Sequence, residues 1–93
     1  SFYKNIPRAL ADGLGADVDV STWEVPPLFK FIKESGNVDD QEMFRVFNMG
    51  VGMTIIVEPG LVDDVLNSVP GAFRVGDVVK RAEGEARTKL IGL

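Results

Sequence analysis

The chain has 93 residues, 45% hydrophobic and 26% charged, with eight aromatic rings, so it makes one ordinary globular domain at most and buries only about 60 to 65% of its unfolded surface. It holds no Cys and no His, which excludes thiol nucleophiles, imidazole bases, disulfides and zinc sites built on those residues, and leaves carboxylates and Lys as the available local catalysts. The net charge of −4 is uneven, with five Lys/Arg against eleven Asp/Glu over 1–70 and five against three over 71–93; an acidic body speaks against a nucleic-acid partner.

In chain order, 1–10 reads as a helix start or loop, with Pro7 tolerable in a first helical turn. Asp12-Gly-Leu-Gly15 is a turn. Residues 16–22 alternate Val18 and Val20 with Asp17, Asp19 and Ser21, the pattern of a strand with one wet face. Pro7, Asp12 and Asp17 break the first twenty residues, unlike a signal peptide, and no apolar run approaches a membrane span, so the cytoplasm is the expected compartment.

Pro26-Pro27 opens a helix whose Leu28, Phe31 and Ile32 share a face expected to cover a sheet, and Gly36 closes it. Asp39 then caps a second helix, with Glu42 placed to reach back and Val38 placed to staple onto Met43. Met43, Val46 and Phe47 form its apolar face, Phe44 widens that face, and the pattern stops at Asn48. Met53 to Val57 is a continuous apolar run, expected as a strand at the sheet centre. Leu61, Val62, Val65, Leu66 and Val69 predict a further helix between Pro59-Gly60 and Pro70-Gly71. Phe73 to Val79 reads as a strand with a bulge at Gly76, and Thr88 and Leu90 return antiparallel after a turn at Glu83-Gly84-Glu85. The basic end suits a solvated sheet edge. The fold class expected is α+β: a mixed β-sheet with helices packed on it, over 1–93 as a single unit.

Few residues suggest chemistry. Asp17-x-Asp19-x-Ser21 fails as a calcium loop, with Thr22 where Gly is needed and Leu28 where Glu is needed. Gly50-x-Gly52 and Gly13-x-Gly15 lack the third Gly of a dinucleotide fingerprint, having Ile55 and Val18 there. Asp39, Asp40 and Glu42 are explained by the helix dipole, and Arg45 by pairing with an acid. The loop Asn48 to Gly52 is more open to interpretation. Amides at Gly50 and Gly52 have no Cβ in front of them and suit a phosphate or carbonyl oxygen, while Asn48 and Gly50 equally suit a left-handed helix C-cap with no ligand. Asn5 and Arg8, one turn apart, suit a phosphate or the polar edge of a small substrate, or else a surface Arg beside a capping Asn.

The word Phe47-Asn-Met-Gly-Val-Gly-Met53, after an acidic helix start and an Arg, resembles the signature of the phosphoribosylformylglycinamidine cyclo-ligase (AIR synthetase) family. Asn5-Ile-Pro-Arg8 resembles a segment that follows a glycine-rich loop there, and the spacing between the two words, Trp23 before the double proline and the Gly36-Asn37 break agree. The resemblance covers the second half of that family's C-terminal domain. It implies a part of an ATP-dependent enzyme that closes the imidazole ring of formylglycinamidine ribonucleotide in purine biosynthesis, inactive by itself. ATP and Mg2+ would be bound mainly by an N-terminal domain, and the enzyme would be a homodimer. It also implies substrate contacts from Asn5, Arg8, Asn48, Gly50 and Gly52, with no catalytic residue assigned. The alternatives are a related ATP-dependent enzyme of the selenophosphate synthetase, thiamine-phosphate kinase or hydrogenase-maturation type, or a non-catalytic α+β interaction module.

Overall fold

A computed structural model describes residues 1–93. Its first element is a helix, α1 (Phe2–Arg8), which Ser1 caps by accepting the Lys4 N–H at 3.3 Å. Pro7 therefore lies in the last turn and not the first, where it ends the helix by removing a donor. The central strand is β1 (Leu14–Asp19). It pairs antiparallel with β2 (Gly76–Lys80) and parallel with β3 (Thr88–Ile91), giving a three-stranded mixed sheet in the order β2-β1-β3. Between β1 and β2 lie α2 (Pro27–Gly36), α3 (Asp40–Val46) and α4 (Val62–Ser68). The fold is thus α+β with a mixed sheet, as expected, and no helix is long and apolar enough to cross a membrane.

One face of the sheet makes the core. Ala16 and Val18 point from β1 into a cluster with Phe2 and Ile6 of α1, Met43 and Phe44 of α3, and Met49 beyond α3. Thr88, buried in β3, donates to the Phe2 carbonyl at 3.2 Å and so ties α1 to the sheet. On the opposite face Asp17 pairs with Arg81, whose side chain is almost wholly covered. Two glycines let the backbones approach. A Cβ on Gly15 would meet the Arg87 carbonyl oxygen at 2.6 Å, and one on Gly76 would meet the Asp17 carbonyl oxygen at 1.8 Å. Gly76 pairs with Val18 in an unbroken register, so it marks close approach and not the expected bulge.

Several expectations are corrected. β1 ends at Asp19, where the carboxylate accepts the Ser21 N–H at 2.9 Å and turns 20–22 into a single 3-10 turn. The expected hairpin between 73–79 and 88–90 does not pair with itself, because β1 lies between β2 and β3. α2 packs on α3 and not on the sheet, turning Phe29 onto Phe47 with ring centroids 5.8 Å apart and leaving Leu28 and Phe31 exposed. Glu42 pairs with Arg45 at 3.4 Å instead of reaching back, although Asp39 caps as expected, accepting the Glu42 N–H at 2.8 Å. α3 stops at Val46, which is exposed, two residues before Asn48.

The largest correction concerns Met53 to Val57, which is not a strand. No neighbouring strand is present to pair it, its backbone makes no hydrogen bond within the chain, and Met53, Ile55 and Ile56 are exposed. α4, which follows, packs chiefly on the turn that starts it, leaving Leu61, Leu66 and Val69 exposed. The radius of gyration of 14.0 Å accordingly exceeds the ~12 Å of a fully compact chain of this length.

The glycine contacts set a stability test. Gly76→Ala must push β2 from β1 and is expected to cost about 2 kcal/mol or more, whereas Gly60→Ala, in open space, stays within about 0.5 kcal/mol. Urea unfolding of the two variants measures the difference, and equal midpoints would contradict the register described.

Candidate functional site

The two words singled out in the sequence, 5–8 and 47–53, are separated by 38 residues and meet in space. Asn5 and Ile6 of α1 and Asn48, Val51, Gly52, Met53 and Thr54 line one open recess of about 240 Å³, completed by Ser1 and Phe2. α1 is brought there by its aromatic end. Phe2 stacks on Trp23 with centroids 5.9 Å apart and tilts against Phe44 at 5.5 Å, while Ile6 and Met43 fill the space beneath. Asn5, one turn on from Phe2, is left exposed beside the recess.

The loop after α3 has an internal order of its own. Phe47 leaves the helix extended, Met49 is left-handed at φ 54° and Gly50 at φ 98°. The Asn48 side-chain oxygen accepts the Gly50 N–H at 2.8 Å, and its carbonyl accepts the Val51 N–H at 3.0 Å. A left-handed Met costs about 1 to 2 kcal/mol, so other contacts must fix it. Its side chain is buried, and its carbonyl accepts the Trp23 indole N–H at 3.0 Å. The helix C-cap considered for Asn48 and Gly50 is not what forms, since the cap of α3 is Phe47.

Each residue expected at the site can now be located. Asn5, Asn48 and Gly52 converge on the recess. The Gly50 amide is not free for a ligand, because Asn48 holds it, and the Cα side of Gly50 is pressed on Pro26, where a Cβ would lie 2.6 Å from the ring. The amides of Gly52 and Met53 have no partner in the chain. With its oxygen engaged, Asn48 has only its NH2 group left to offer as a donor. Arg8 is exposed at the end of α1 and does not line the recess. Ser1, Phe2 and Thr54 line it from outside the two words, and only their closeness to those words marks them in the sequence. The recess thus offers amide and backbone N–H groups beside apolar Ile6 and Val51, and no charged side chain lines it. Such a surface can orient a polar small molecule by hydrogen bonds, without acid or base chemistry of its own.

A larger recess of about 610 Å³ lies between the start of β1 and 81–87. Its two guanidinium groups are engaged, Arg81 by Asp17 and Arg87 by the Leu10, Ala11 and Leu14 carbonyls at 2.9 to 3.2 Å. Asp12, Glu83 and Glu85 supply its remaining charge. Glu85 is held below its ordinary pKa first by a hydrogen bond from Lys89 and then by the Ala82 N–H. Arg81 Nε is buried there without a partner, but none of the residues singled out in the two words lines this recess, so the smaller one is the candidate site. No three acidic side chains converge anywhere to suit a metal ion.

Residues 2–89 match the family model described as AIR synthase related protein, C-terminal domain. The chain is 48% identical over 91 residues to a phosphoribosylformylglycinamidine cyclo-ligase of Aromatoleum aromaticum, covering 94% of this chain and 26% of that protein. It is 46% identical over 82 residues to the chloroplastic cyclo-ligase of Arabidopsis thaliana, covering 84% and 21%. The cyclo-ligase of Burkholderia pseudomallei is 44% identical over 92 residues, covering 95% and 26%. The chain spans about a quarter of the length of these curated relatives.

The loop geometry carries its own test. Gly50→Ala places a side chain on Pro26 at a positive φ and is expected to cost about 1 to 3 kcal/mol, whereas Gly52→Ala, with nothing within 4 Å, is nearly silent for stability. Thermal unfolding distinguishes them; a silent Gly50→Ala would mean that the loop does not rest on Pro26.

Proposed function

Because this chain belongs to the AIR synthase related protein C-terminal domain family, we propose that it is part of a phosphoribosylformylglycinamidine cyclo-ligase and supplies contacts to that enzyme's substrate, formylglycinamidine ribonucleotide. The observation that carries this reading is the meeting of Asn5 with Asn48 and Gly52 around one recess of neutral hydrogen-bonding groups.

In the proposed reaction ATP phosphorylates the formyl oxygen of the substrate, giving ADP. An amidine nitrogen then attacks the same carbon, and phosphate leaves as the imidazole ring closes. The substrate brings its own nucleophile and ATP brings the leaving group, so the protein's work is positioning and charge stabilisation, which needs neither His nor Cys. The Asn48 NH2 group and the Gly52 and Met53 amides would donate to oxygens of the ribonucleotide. Asn5 would hold its polar edge from the α1 side, and Arg8 would approach only through a shift of its side chain.

The residues here do not fit a site for Mg2+ or for the ATP phosphates: acidic side chains do not converge and no Lys or Arg lines the recess. In this reading ATP and Mg2+ would be bound mainly by an N-terminal domain, and the enzyme would be a homodimer. The unpaired run Met53 to Val57 supports that division. It begins at the recess, exposes apolar side chains and offers a free backbone to which the remainder of such a protein would add a strand. The cytoplasm is the proposed compartment and purine biosynthesis the proposed pathway.

The test is ATP-dependent ring closure by the full-length protein that carries this chain. Asn48→Asp keeps the oxygen that holds Gly50 but loses the NH2 donor and adds a charge, so the fold should persist while KM for the ribonucleotide rises tenfold or more, by about 1.4 kcal/mol. Asn5→Ala should raise the same KM and leave that for ATP unchanged. An active enzyme whose kinetics ignore both substitutions would remove the recess from the reaction.

A further inference from the structure

Trp23 is the only Trp in the chain, and its indole makes two different kinds of contact. The ring stacks on Phe2, at an interplanar angle of 20°, and meets Phe44 edge-on at 6.3 Å. The indole N–H donates to the Met49 carbonyl, 26 residues away. The ring face therefore holds α1, which carries Asn5, and the ring edge holds the loop that carries Asn48 and Gly52. Three residues on, Pro26 supports Gly50. Met49 occupies a left-handed conformation that a Met side chain disfavours, and such a loop stays in place only when its surroundings fix it.

We propose that Trp23 is a positioning residue for the candidate site: its indole sets the distance between the Asn48–Gly52 loop and Asn5, and thereby the affinity for the ribonucleotide. The proposal rests on the functional reading above for the ligand, but the clamp itself does not. Trp23 lines no part of the recess, so its effect on substrate passes through the loop and the helix. The half-buried indole N–H needs a partner, and the loop carbonyl of Met49 is the one it has. A Phe at this position keeps a ring to stack on Phe2 but loses the donor and part of the packing on Phe44 and Phe73, so Trp23→Phe is informative through where protection is lost and not through stability alone.

The experiment compares wild type, Trp23→Phe and Trp23→Ala in the full-length protein by amide hydrogen exchange, thermal unfolding and ring-closure kinetics. Trp23→Phe should melt below wild type but above Trp23→Ala, and should lose protection at the Val51 amide well beyond the loss at amides of the sheet. Its KM for formylglycinamidine ribonucleotide should rise about three- to tenfold, with kcat and the KM for ATP little changed. Trp23→Ala should lose both contacts and melt lower. Unchanged exchange at Val51 in Trp23→Phe would overturn the clamp, whether or not the protein is active. Lost protection with an unchanged KM in an active enzyme would overturn the link to substrate. If the wild type closes no ring, the functional reading fails by itself, and the exchange data still decide the clamp.

Discussion

Asn5 faces the Asn48–Gly52 loop because Phe2 is packed between Trp23 and Phe44. That packing is what the candidate site depends on. α1 is only seven residues long, too short to be stable by propensity, and it is held by Phe2 and Ile6 in the core and by the Thr88 bond to the Phe2 carbonyl. α3 is equally short and is held by Met43 and Phe44 in the same cluster. Two marginal helices share one small core laid on Ala16 and Val18 of the central strand, and the recess lies between α1 and the loop that follows α3. Close approach at Gly15 and Gly76, with the Asp17–Arg81 pair across the other face, keeps that strand in register beneath them.

How much of this was legible in the sequence varies with the range of the interaction. The start of α3 was legible because a cap is local: Asp39, Glu42 and Val38 lie within five residues. The glycine-bearing loop was legible as a loop for the same reason. Its inner geometry was not, since the competition for the Gly50 amide and the left-handed turn at Met49 are decided by Pro26 and Trp23, more than twenty residues upstream. The inward face of α2 was misjudged because Leu28 and Phe31 have the right period, but Phe29 and Phe47 find each other instead. Period alone cannot say which apolar stripe has a partner.

The same reason explains Met53 to Val57. An apolar run without polar alternation asks for a sheet on both sides, and here the sheet closes on three strands without it. The result is a chain with nine buried residues out of 93, an unpaired apolar segment and a loosely attached α4. Those features fit a chain that spans about a quarter of its relatives' length. The edge strands β2 and β3, by contrast, carry exposed Lys80 and Lys89, charges that discourage pairing with another sheet.

The central claim is that Asn5 and Asn48 act on one ligand from two sides of one recess. A double-mutant cycle of Asn5→Ala and Asn48→Asp, read on KM for formylglycinamidine ribonucleotide in the full-length protein, measures that most directly. The two effects should couple by about 0.5 kcal/mol or more, as expected for neighbours on a shared ligand. Effects that add to within about 0.3 kcal/mol would mean that the two residues do not meet on the substrate and that the recess is not one site.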